Sequence, residues 1–249
     1  MAGHSKWHNI KHRKAGADKK RGKIFTKHAK LIQIAAATGG GDPDMNPSLR
    51  AAIDSAKMDN VPMDNIERSI KKGTGESKDS AQIEEVFYEG FGPGGVALYI
   101  EALTDNRNRT ITNLKIIMGK KGGTMGAAGS TGYLFDRKGL IELESDGNDP
   151  DEMELAAIDA GADDVKRDNS DMEIYTDAQS LMRVRADLDK SGYKAKSASI
   201  VFTPQSGIAV DDENSAKQLL ELIDALEDDE DVSTVYTNAD ISDDLLEKI

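Results

Sequence analysis

The chain has 249 residues, 38% of them hydrophobic and 31% charged, which is enough to bury the cores of about two domains or three small ones. Zero cysteines exclude disulfides, thiolate zinc sites and cysteine nucleophiles, and no run reaches the ~18 consecutive apolar residues of a membrane helix or resembles a secretory signal, so a cytoplasmic protein with no membrane partner is expected. The net charge of -13 would exclude a polyanionic partner if it were spread evenly, but residues 1–30 hold ten Lys/Arg against one acid, whereas residues 140–249 hold nine against thirty.

The opening MAGHSKWHNIKHRKA has no periodicity that could bury a face. Its cations Lys6, Lys11, Arg13 and Lys14 flank Trp7, the only tryptophan, so point charges for phosphate sit beside a stacking surface. His4, His8 and His12 recur every four residues, a spacing that could present zinc ligands with His28 nearby. The surrounding lysines disfavour a dication and no carboxylate is placed to orient the rings, so phosphate hydrogen bonding fits His4 and His12 better, and no metal or other cofactor is expected.

A helix then follows from Ile24, His28, Leu31 and Ala35, with Phe25 and Ile32 beside them, stopped at Gly39–Gly41. It carries a second basic cluster, Lys19, Lys20, Arg21, Lys23 and Lys27, offered with the arm as nucleic-acid contacts. Asn46-Pro47 caps a second helix with Leu49, Ala52, Ile53 and Ala56 on one face. Pro62 opens a third, with Met63, Ile66 and Ile70 inward and Gly73 at its end. Residues 1–80 thus read as a basic arm and a three-helix bundle.

After the polar linker TGESKDSAQ, strands are expected at 85–91 and 96–103 around the Gly-Pro-Gly-Gly turn at 92–95. Gly90, Gly92 and Gly95 match the letters of a dinucleotide-binding fingerprint, but they lead into a strand and not into a helix N-terminus, so a tight hairpin is the better reading. Asn106 caps a helix with Ile111, Leu114, Ile117 and Met118 on its stripe. Arg107 and Arg109 fall in its first turn, where the macrodipole disfavours cations, which favours an anion shared between them and the exposed amides. Its end, Gly119-Lys120-Lys121-Gly122, has the letters of a KH-type backbone clamp; the residues that follow suit a helix cap better, leaving Lys120 and Lys121 as phosphate contacts.

Residues 124–132 are small and read as flexible, followed by strands at 133–135 and 140–143 around an Asp-Arg-Lys-Gly turn. A helix at 151–160, a strand near 172–176, a helix at 178–190 and a strand at 198–203 complete that unit. The last helix buries Ala216, Leu219, Leu220, Ile223 and Leu226, the acidic run 227–231 reads as solvated surface, and a strand follows at 232–236. One helix and one strand cannot make a core, so they should complete the sheet begun at 84–103. The expected organisation is α+β: domain 1 at 1–80, domain 2 at 81–130 with 207–249, and domain 3 at 131–206 inserted in it. No Ser-His-Asp or paired-acid constellation can be nominated by spacing, so no enzyme and no small-molecule substrate are expected.

The segments AGHSKWHNIKHRKAGADKKRGKIFTK, GGGDPDMNPSLRAAIDSAK, NIERSIKKG, YEGFGPGGVALYIEALTDNRNRT and GSTGYLFDRKG closely resemble the YebC/PmpR family, over essentially the whole chain. The resemblance implies a helical N-terminal domain followed by two ferredoxin-like α/β domains, the third inserted in the second. It also implies either a DNA-binding transcriptional regulator or a translation factor on ribosomal or messenger RNA, as its mitochondrial relatives are translational activators. By position it points to His4 to Lys14, Lys19 to Lys23, and Arg107 with Arg109. His8, His28 and Thr131 depart from the family pattern.

Overall fold

The computed structural model describes residues 17–76, 82–144, 147–168, 171–246 and 248–249, with the side chains of those from Gly22 onward other than Asp168. The chain divides into two units, one of residues 1–134 and 204–249 and one of residues 135–203. The fold is mixed α/β, with N-terminal helices followed by two four-stranded sheets.

In the first unit, α1 (Ala17–Gly39), α2 (Pro47–Met58) and α3 (Met63–Gly73) pack around Ile32, Ala36, Leu49, Ile53, Ala56 and Ile66. The fully buried line of α1 is His28, Ile32 and Ala36, one position round from the Leu31–Ala35 line expected from periodicity. The reason is that α1 is covered on two sides, by α2 and α3 and by the sheet, so Ile24, Leu31 and Ala35 are half-buried rather than exposed. Asn46 caps α2 by accepting from Leu49 N (3.1 Å), and its amide donates to Ala35 O (2.8 Å) and Gly40 O (2.9 Å), which ties the end of α1 to the start of α2.

The sheet has the order β3-β1-β2-β9. β1 (Glu84–Phe91) and β2 (Ala97–Thr104) form the expected hairpin, with Gly94 and Gly95 at φ 78° and 74° in the turn. β3 (Thr124–Met125) adds to β1, and β9 (Val232–Thr237) adds to β2 antiparallel, so the strand expected at 232–236 joins the first sheet. α4 (Arg107–Lys120) and α7 (Glu213–Glu227) bury Leu114, Met118, Leu219, Leu222 and Leu226 against Leu98, Ile100 and Val235. β8 (Ile208–Ala209) and β10 (Ala239–Asp240) form a short parallel pair, before α8 (Asp243–Leu246).

The second unit has the sheet order β5-β6-β4-β7, from β4 (Phe135–Glu144), β5 (Asp164–Asp168), β6 (Asp171–Asp177) and β7 (Ala195–Pro204). α5 (Pro150–Ala160) and α6 (Leu181–Lys190) close its core of Ile141, Leu143, Met153, Ile174, Val184 and Leu188. Residues 136–139 are no turn: β4 runs unbroken from Phe135 to Glu144. Gly139 serves packing instead, since a Cβ there would lie 2.5 Å from Thr176 Oγ1 and 2.9 Å from Leu181 Cβ. β5, with the sequence DVKRD, escaped the periodicity reading because an edge strand pairs on one side only and tolerates charge.

Candidate nucleic-acid interface

The candidate contacts fall into three groups. His4, Lys6, Trp7, Lys11, His12, Arg13 and Lys14 lie outside the described residues. Lys19, Lys20 and Arg21 belong to the first turns of α1, so their backbone is helical. Lys23, Lys27, Arg107, Arg109, Lys120 and Lys121 have described side chains, and most of them meet partners within the chain.

Lys23 Nζ lies 4.0 Å from Asp228 Oδ1, and Lys27 Nζ donates to Thr234 Oγ1 (3.0 Å). One turn on, Lys30 donates to Leu103 O (2.8 Å), Glu230 O (2.7 Å) and Asp231 Oδ1 (3.2 Å). Helical spacing lines these three lysines along α1 towards β9, so this part of the basic helix docks it on the sheet. The acidic run is accordingly not simply solvated surface. Asp231 is 5% exposed and takes hydrogen bonds from Arg109 Nη2 (2.7 and 2.8 Å), Arg109 Nε (3.1 Å), Thr110 Oγ1 (2.9 Å) and Lys30. Burial by itself would raise its pKa; the bonds from Arg109 and Thr110 and the charge of Lys30 outweigh that and hold the carboxyl below the usual range.

Arg107 and Arg109, expected as a pair on one anion, are drawn to different carboxylates. Arg107 forks onto Glu84, whose carboxyl is thereby held low, and both side chains are largely exposed. An exposed pair is screened by water and can exchange for phosphate. Arg109 is committed to Asp231 and Asp105, which answers the unfavourable dipole with carboxylates from within the fold. Lys121 Nζ meets Glu221 Oε2 at 3.0 Å, with both side chains part-exposed, while exposed Lys120 has no ion-pair partner among the described residues.

Two local arrangements had no sequence signal. The loop 126–132 is held by Glu89, whose carboxylate accepts from Gly129 N (2.6 Å), Thr131 N (2.5 Å) and Gly132 N (2.7 Å). Burial pushes that carboxyl up, but the backbone bonds from Thr131, Gly129 and Gly132 prevail and lower its pKa. Thr131 fits its buried site because its hydroxyl also donates to Leu98 O at 3.0 Å. His28, against the expectation that no carboxylate orients a histidine, has its Nε2 2.5 Å from Asp59 Oδ2 inside the bundle. Among the described residues no group of three or more His, Asp or Glu could hold a metal ion, and no helix is long and apolar enough to cross a membrane.

Family models described as the TACO1/YebC protein N-terminal domain and the TACO1/YebC second and third domain match residues 5–76 and 83–239. The chain belongs to the TACO1/YebC family. It is 49% identical over 251 residues to a relative from Halothermothrix orenii, covering 100% of this chain and 99% of that one, and 48% identical over 249 residues to one from Thermobifida fusca, covering 100% of both. Both relatives bear the name "Probable transcriptional regulatory protein". The crystal structure of a conserved hypothetical protein from Aquifex aeolicus superposes with a TM-score of 0.86 at 43% identity, covering 92% of this chain and 94% of that one. The TACO1/YebC models thus span both the helical region and the sheet-bearing units described above.

Proposed function

We propose that this TACO1/YebC protein is a nucleic-acid-binding regulator of gene expression without enzymatic activity, acting on DNA as a transcriptional regulator in the cytoplasm. The observation that carries the proposal is the segregation of charge: ten Lys/Arg against one acid in the first thirty residues of a chain whose net charge is -13. Positive charge gathered at one end gives a polyanion a point of attack while the acidic remainder limits non-specific adhesion. The names of the relatives support the regulatory part.

The fold narrows how contact is made. Lys27 and Lys30 are spent on docking α1, so the grip on phosphate falls to the arm and the start of α1, with Arg107 able to exchange Glu84 for phosphate. α3 does not offer a basic reading face, because Asp64 and Glu67 accompany Arg68, Lys71 and Lys72. Binding through backbone phosphates rather than base edges is the consequence.

The test is binding of labelled duplex DNA and single-stranded RNA by the full chain and by a variant lacking residues 2–16, across a salt series. About five arm phosphates give a log-log slope near roughly -3.5 to -4.5, shallower by ~1 for each lysine removed. Equal affinity of both proteins for both nucleic acids would refute the proposal. Crosslinking in cells, with sequencing of bound DNA and RNA, identifies the target; recovery of ribosomal or messenger RNA alone would replace the transcriptional reading with a translational one.

A further inference from the structure

Between the end of α4 and α7 lies a groove of about 280 Å³ lined by Lys120, Lys121, Gly122, Gln218 and Glu221. We infer that this groove is a second contact for nucleic acid, separate from the arm, and that it seats the phosphodiester backbone of a single strand. The inference rests on the nucleic-acid reading above and adds a place in the fold to it.

Three observations converge here. The first is charge: Lys120 and Lys121 line the groove beside one carboxylate, Glu221, and exposed Lys217 stands one turn before it on α7. The second is the weakness of the internal pairing. Lys121 and Glu221 are 39% and 51% exposed, and such a pair yields readily to a phosphate that offers a stronger acceptor.

The third is Gly119. Its neighbouring glycines have internal reasons: a Cβ on Gly123 would lie 2.8 Å from Leu222 Cδ2, one on Gly90 would lie 2.7 Å from Met118 Cε, and Gly122 has φ 76°. Gly119 has none of these. It is helical, exposed, outside the positive-φ set, and a Cβ there would meet nothing within 4 Å. Gly119 stands in the last turn of α4, where glycine costs the helix little, and its bare backbone leaves room for close approach from outside. Gly119 adjoins Lys120, and α4 carries no acidic residue, so a sugar-phosphate backbone can lie against this end of the helix. The groove volume is at the lower end for small-ligand sites, suited to one nucleotide unit rather than to a duplex.

The test uses the full chain, a labelled 20-nucleotide single strand as RNA and as DNA, and a duplex of the same length. Gly119→Leu is expected to keep or raise the melting temperature and yet to weaken single-strand binding at least several-fold. The triple variant Lys120→Gln, Lys121→Gln, Lys217→Gln is expected to flatten the salt slope for a single strand by about 2, from three lost phosphate contacts. If both variants bind as the parent does while removal of residues 2–16 flattens the slope, the groove assignment is overturned and the arm reading stands. If neither the truncation nor the triple variant changes binding, both fall. An equal loss on duplex and single strand would overturn the assignment to a single strand.

Discussion

Asp231→Ala should loosen the junction between α1 and the sheet, and the size of the loss can be worked from the contacts. The carboxylate is 5% exposed and receives Arg109, Thr110 and Lys30. Removing one partner of a buried ion pair costs about 3–5 kcal/mol, because charge is left without compensation. The full penalty is not expected here. Arg109 and Lys30 are 47% and 17% exposed and regain water, and Thr110 keeps its contact with Thr104 Oγ1 at 2.8 Å. A loss of about 2–3 kcal/mol follows. Urea unfolding gives the total, and hydrogen exchange along α1 locates it, since the amides of the helix should lose protection before those of residues 135–203. The pH dependence is a second check. A carboxyl with a lowered folded pKa stabilises above its unfolded value and loses that contribution as pH falls through the folded one. Parent and variant should therefore differ by a constant amount at neutral pH and converge as pH falls below the ordinary aspartate range. A loss below about 0.5 kcal/mol at pH 7, or an undiminished difference at acid pH, would refute the account of Asp231 as the anchor of α1.

Glu89→Gln replaces a carboxylate that gathers three backbone amides with a group that also carries donors, and should cost about 1–3 kcal/mol and expose residues 126–132 to proteolysis. Because the Glu89 pKa is lowered, the parent loop should show the same weakening as pH drops below the ordinary glutamate range, and the variant should show no further change there. Gly139→Ala forces a Cβ against Thr176 and Leu181, and should destabilise the unit of residues 135–203 by about 1–3 kcal/mol, with amide protection of residues 17–76 unaltered.

Much of the fold was legible in the residues themselves. The Asn46-Pro47 and Asn106 caps, the Gly-Pro-Gly-Gly hairpin and the α7 stripe each rest on interactions within a few residues, and the structure places each where the pattern puts it. The errors arose where a residue answers to something distant. Gly139 has the letters of a turn but is glycine because α6 crosses β4 there. The loop at 126–132 looks mobile because its carboxylate lies at Glu89, some forty residues earlier. The acidic run looks solvated because its cations come from α1 and α4.

The same division holds for the candidate interface. Sequence alone established that positive charge is concentrated at one end and that no cysteine chemistry is available, because charge and composition add up without reference to geometry. Only the tertiary structure decided which cations are already engaged: Lys30 and Arg109 close on Asp231, while Lys120 stays open beside a glycine that no neighbour requires. Electrostatic pairing falls steeply with distance and depends on burial, so the role of each lysine or arginine is fixed by what the fold brings within about 4 Å of it.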